Sequence, residues 1–97
     1  MLTKREILEY LKLYKERKQE RYSIKKLGLF GSYAKDMAKE SSDIDIVVEF
    51  SKPDIFNQIG IMQDLKEYFK KEVDVISLWK NINPKLKKRI DKETIYV

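Results

Sequence analysis

Ser42-Asp43-Ile44-Asp45-Ile46-Val47-Val48-Glu49-Phe50 opens on two aspartates and then turns apolar. β-Branched residues dominate its later part, so residues 43–50 predict a strand, and the apolar stretch after the aspartates gives it a buried, central place in a sheet. Two side chains spaced two apart on a strand leave the same face. Asp43 and Asp45 would then have Cα atoms roughly 6.5 Å apart. At an effective dielectric of about 20, two carboxylate charges at that distance repel by roughly 2–3 kcal/mol. A cation between them is the arrangement a folded protein tolerates most readily.

Upstream, residues 24–30 read as a strand with Gly28 inside it, where glycine signals a close backbone approach or a packing constraint. Gly31-Ser32 breaks that strand, and residues 33–39 predict a short helix whose N-terminus sits over the strand end. Ser41-Ser42 predicts a turn. Free amides at such a helix start, with the helix dipole, favour an anion, and glycine lets a phosphate approach the backbone. Ser32 can add a hydroxyl donor. A phosphate cradle beside a carboxylate pair suits metal-assisted transfer from a nucleoside triphosphate.

Working outward, Thr3-Lys4-Arg5-Glu6 fits a capping box, and Ile7, Leu8, Leu11 and Tyr14 follow at helical spacing, predicting an amphipathic helix over 3–20. Ser51-Lys52-Pro53-Asp54 supplies helix-start chemistry with proline near the first helical position, and Phe56, Ile59, Met62, Leu65 and Phe69 recur on one face. Residues 72–78 predict a third strand. Within it, Asp74 is an acidic residue amid apolar neighbours; beside the second strand it could join the cation site or accept a proton from an attacking hydroxyl. Asn83-Pro84 opens a last short helix carrying Leu86 and Ile90, and residues 94–97 are apolar enough to dock as a tail. The order is helix, strand, helix, strand, helix, strand, helix. The expected fold class is a small α/β domain, a mixed sheet flanked by helices, occupying residues 1–97.

Composition narrows the chemistry. The 97 residues contain neither cysteine nor histidine. Disulfides, thiolate zinc sites and a histidine base are thereby excluded, leaving carboxylates to hold a hard cation such as Mg²⁺ or Mn²⁺. A domain of this size buries only about 60–65% of its unfolded surface, so a partner is expected. The net charge of +5 is uneven: residues 1–26 carry nine Lys/Arg against four Asp/Glu, residues 27–65 three against seven, and residues 66–97 nine against five. Solvated helix faces explain the basic flanks most simply, and a basic rim drawing a polyanion to an acidic, metal-loaded centre is compatible with them. No apolar run approaches a membrane span and no signal-peptide pattern is present, so the expectation is a cytoplasmic protein.

Leu29-Phe30-Gly31-Ser32-Tyr33-Ala34-Lys35, followed by Ser42-Asp43-Ile44-Asp45-Ile46-Val47-Val48, resembles the signature of the minimal nucleotidyltransferases of the DNA polymerase beta superfamily: Gly-Ser, ten intervening residues, then Asp-x-Asp. A third aspartate about thirty residues later falls on Asp74. The resemblance covers nearly the whole chain. It implies a small nucleotidyltransferase fold in which Gly31 and Ser32 hold the triphosphate of ATP and Asp43 and Asp45 bind two Mg²⁺ ions. Asp74 would complete the second ion site and help deprotonate the acceptor. It also implies an antitoxin that transfers AMP to a tyrosine of a HEPN-domain toxin, a helical ribonuclease. Many members continue Gly-Ser-x-Ala-Arg-Gly where this chain has Lys35 and Asp36. Lys35 keeps the positive charge for nucleotide binding, without the guanidinium fork; the turn at Asp36 is left open.

Alternatives of other classes are a module that neutralises the toxin by binding alone, and nucleotidyl transfer to RNA or a small molecule. The complete set Asp43, Asp45 and Asp74 favours an enzyme. Trp79 and Tyr68 read as core or interface anchors, and the run Lys85, Lys87, Lys88, Arg89 as a solvated helix face rather than a nucleic-acid patch.

Overall fold

The computed structural model describes residues 1–97. Its elements run α1 (Lys4–Lys18), β1 (Ile24–Phe30), α2 (Gly31–Ala34), β2 (Ile44–Phe50), α3 (Ile55–Phe69), β3 (Val73–Leu78), α4 (Pro84–Glu93) and β4 (Ile95–Tyr96). The expected capping box starts α1: Thr3 Oγ1 accepts from the Glu6 amide at 3.2 Å, and the Thr3 amide donates to Glu6 Oε1 at 3.2 Å. Asp54 caps α3 by accepting from the Phe56 amide at 2.8 Å. Asn83 caps α4 in the same way, with Pro84 at its first position, where the missing amide costs nothing.

The sheet order is β3-β2-β1-β4. β2 lies antiparallel to β1 and parallel to β3, with α3 as the crossover, and β4 pairs antiparallel with β1. The sheet is therefore mixed, with β2 central as its apolar run predicted. Its two faces are covered unequally. Ile44, Ile46, Val48 and Phe50 pack with Ile7, Leu11, Ile61 and Leu65 beneath α1 and α3, whereas Phe30 and Val47 pack with Ile90 beneath α4.

Several expectations need correction. The helix predicted over 33–39 is only four residues long and begins at Gly31. It stops early because Asp36 adopts a left-handed φ of 59°. That is the position where the family pattern has glycine; aspartate tolerates this conformation better than most residues, and the Lys4 ammonium holds its carboxylate at 2.8 Å. Pro53 lies outside α3, before the Asp54 cap. The core face of α3 is Ile61 and Leu65, while Phe56 and Ile59 point to solvent. Trp79 and Tyr68 are exposed rather than in the core, Tyr68 stacking on Tyr10 with ring centroids 3.4 Å apart. The apolar tail is a strand: β4 runs so close over β1 that a Cβ on Gly28 would lie 2.6 Å from Thr94 Cγ2 and 2.9 Å from the Ile95 carbonyl oxygen.

Candidate active site

Alternation along β2 decides where the aspartates point. Ile44, Ile46 and Val48 face α1 and α3, so Asp45, like Val47, faces the α4 side of the sheet. On β3, Val73 and Val75 pack toward α1 and α3 and Ile76 toward α4, which puts Asp74 on the α4 side as well. Parallel pairing sets Asp45 directly opposite Asp74. The two carboxylates thus stand side by side at neighbouring strand positions, about 4.8 Å apart at their Cα atoms. Asp43 is exposed and precedes β2 by one residue, so it flanks the strand instead of lying on it as expected.

Because β1 and β2 are antiparallel, the end of β1 meets the start of β2, and Phe30 pairs with Asp45. The next residue, Gly31, has φ of 76°, a conformation that glycine adopts without strain. Its backbone lies directly against the Asp45 side chain. A Cβ there would overlap the carboxylate and stand 3.1 Å from Cγ. Gly31, Ser32 and Asp45 share the wall of a cavity of about 420 Å³ with Phe30, Lys35, Met37 and Arg89. The Gly-Ser turn and the central aspartate therefore meet at one place.

Electrostatically the cluster is unbalanced. Burial, and after it the Asp74 and Asp43 carboxylates, push the Asp45 carboxyl above its ordinary proton affinity. None of the three aspartates takes part in an ion pair. Three uncompensated carboxylates, one of them half-buried, are a donor set that suits a hard divalent cation. In this conformation they do not close into a group of three tight enough to cage one.

Lys35 reaches the same cavity, but its ammonium donates to Glu93 Oε1 of α4 at 3.0 Å. Arg89, one turn earlier on α4, lies over the Phe30 ring, 5.5 Å from its centroid. The sequence reading set Arg89 aside within a basic run. Nothing in its local pattern distinguishes it from Lys87 or Lys88; only the packing of α4 across Phe30 and Val47 carries it to the site.

Comparison with known proteins gives consistent results. The family described as polymerase beta, nucleotidyltransferase matches residues 6–97. The protein adenylyltransferase MntA of Thermococcus cleftensis is 33% identical over 98 residues, spanning 100% of this chain and 98% of that protein. A solved structure provisionally described as a minimal nucleotidyltransferase superposes with a TM-score of 0.72 at 26% identity, covering 91% of this chain and 93% of the other. The tri-AMPylated Shewanella oneidensis HEPN toxin in complex with its MNT antitoxin contains a chain of similar fold, with a TM-score of 0.57 at 21% identity over 87% of this chain and 69% of that one.

Proposed function

Since the chain belongs to the polymerase beta nucleotidyltransferase family, we propose that it is an antitoxin acting as a Mg²⁺-dependent protein adenylyltransferase, moving AMP from ATP to a tyrosine hydroxyl of a HEPN-domain toxin. The observation that carries this reading is the register pairing of Asp45 with Asp74 on one sheet face, against the backbone of Gly31. Further support comes from the name of the Thermococcus relative and from the AMPylated toxin bound by the Shewanella protein. All 97 residues serve as one nucleotidyltransferase domain; the radius of gyration of 12.5 Å equals the roughly 12.5 Å that its length predicts for a folded domain.

In this scheme Gly31 and Ser32 offer backbone amides and a hydroxyl to the triphosphate, and Lys35 adds positive charge at the rim. Asp43, Asp45 and Asp74 would hold Mg²⁺, which when bound offsets the phosphate charge and the mutual repulsion of the carboxylates. Asp74, on the exposed side of the pair, accepts the proton of the acceptor hydroxyl. The acceptor oxygen forms its bond to the α-phosphorus while the bond to the β-phosphate breaks, and pyrophosphate leaves. A cytoplasmic location is part of this proposal, because ATP is its substrate; separately, no helix is long and apolar enough to cross a membrane.

Neutralisation by binding alone is a second reading, favoured by one observation. Ile55 and Trp79 are exposed on one cavity wall where β2 and β3 end, with Phe56 exposed next to Ile55 in the chain, at the opposite end of the sheet from Asp45 and Asp74. Such apolar exposure suits a stable contact that leaves the aspartates open.

Labelled ATP, Mg²⁺ and the co-encoded helical protein separate the two. Label should pass to that protein, and Asp45→Asn or chelation should abolish the transfer. If Asp45→Asn neutralises the toxin as well as the wild type does, catalysis is not how the antitoxin works.

A further inference from the structure

Two cations reach the cavity beside Asp45, and one carboxylate, Glu93, faces both. The sharing is unequal. Lys35 Nζ donates to Glu93 Oε1 at 3.0 Å, whereas Arg89 Nη2 stands 3.7 Å from Glu93 Oε2, beyond hydrogen-bonding reach. Glu93 Oε2 is buried and has no hydrogen-bond partner at all. Lys35 is therefore committed to a carboxylate, while the guanidinium of Arg89 keeps its donors. The Arg89 guanidinium lies over the Phe30 ring with Cζ 5.5 Å from its centroid, a cation–π approach that uses none of its N–H groups as hydrogen-bond donors to the ring.

Resting on the nucleotidyl-transfer reading above, we infer that Arg89 is the residue that grips the outer phosphates of the nucleoside triphosphate, while Glu93 engages Lys35 at the cavity rim. The fork of Arg89 matches two phosphate oxygens at once, which an ammonium cannot do. Phe30 and Gly31 are adjacent in the chain, so the ring supporting Arg89 and the backbone touching Asp45 move together. The cationic contact to the outer phosphates thus comes from α4, a segment that follows the last aspartate of the site, and not from Lys35, while Gly31 and Ser32 keep their amides and hydroxyl for the same triphosphate.

The test compares AMP-PNP and AMP binding by calorimetry, with Mg²⁺ present, for the wild type, Arg89→Gln, Arg89→Lys and Lys35→Gln, alongside steady-state transfer kinetics. AMP lacks the outer phosphates. Arg89→Gln should weaken AMP-PNP about tenfold or more, leave AMP within about twofold, and raise the KM for ATP with kcat little changed. Arg89→Lys should recover only part of the loss, and Lys35→Gln should cost less than Arg89→Gln. Unchanged AMP-PNP affinity in Arg89→Gln, or an equal loss of AMP and AMP-PNP, overturns the assignment of Arg89. A wild-type chain that binds neither nucleotide overturns the nucleotidyl-transfer reading itself.

Discussion

Replacing Gly31 with alanine tests whether its backbone truly abuts Asp45. The left-handed φ of 76° costs a residue with a Cβ about 1–2 kcal/mol. The new methyl group would also overlap the Asp45 carboxylate, with Cγ at 3.1 Å and Cβ at 3.3 Å, and driving that side chain off its rotamer adds about 1 kcal/mol. Together these give about 2–3 kcal/mol, or roughly 8–24 °C in Tm at about 4–8 °C per kcal/mol for a domain of this length. In an Asp45→Ala background the carboxylate is gone and only the backbone cost should remain. A double-mutant cycle by thermal and urea unfolding of wild type, Gly31→Ala, Asp45→Ala and the double variant should therefore show a coupling of about 1 kcal/mol. AMP transfer by Gly31→Ala should fall about a hundredfold, because a shift of about 1 Å in Asp45 spoils alignment. Additivity within about 0.5 kcal/mol would refute the contact, and with it the geometry on which the site is built.

Two further perturbations probe the charge cluster and the sheet edge. In metal-free protein, Asp45 holds its proton more tightly when folded than when unfolded, so its contribution to stability is present at low pH and lost as pH rises from about 3.9 through its raised value. Asp45→Asn should remove that loss; its Tm advantage over wild type in chelator should widen on going from about pH 4 to neutrality, and an advantage that shrinks instead contradicts the repulsion described. Gly28→Ala should push β4 off β1, since Thr94 Cγ2 and the Ile95 carbonyl leave no room, at about 1–3 kcal/mol. Amide exchange at Val97, whose N–H donates to the Leu27 carbonyl at 2.9 Å, should accelerate, and unchanged protection there would count against the close approach.

Local chemistry accounts for what could be read from the chain. Thr3 with Glu6, Asp54, and Asn83 with Pro84 act within one helical turn, so the helix starts are written beside the residues they cap. Ile46, Val47 and Val48 announce a buried strand because consecutive β-branched side chains suit burial on both faces. The orientation of α3 was not legible in the same way. Apolar residues at Phe56, Ile59 and Met62 have helical period, but period alone does not say whether a stripe meets the sheet or a partner; the sheet takes Ile61 and Leu65, and Phe56 and Ile59 stay outside. The strand β4 has two residues, too few for any alternation to register, and only Gly28 on the opposing strand hinted at it.

The site divides along the same line. Gly31, Ser32, Asp43 and Asp45 lie within one short loop-and-strand segment, and their spacing is visible in the chain. Asp74 depends on a fact no local pattern carries, namely that β3 docks parallel to β2 in the one register that sets Asp74 opposite Asp45. A slip of one residue would turn Asp74 to the α1 and α3 face. Arg89 and Glu93 depend on more still: α4 must cross the sheet face that Phe30 and Val47 expose, and Ile90 must bury there. Ile90 sits between Arg89 and Glu93, so the residue that anchors α4 also sets where its cation and its carboxylate stand. Packing of one apolar side chain thereby joins the helix to the aspartates, and the site is assembled from both halves of the chain, not from its motif alone.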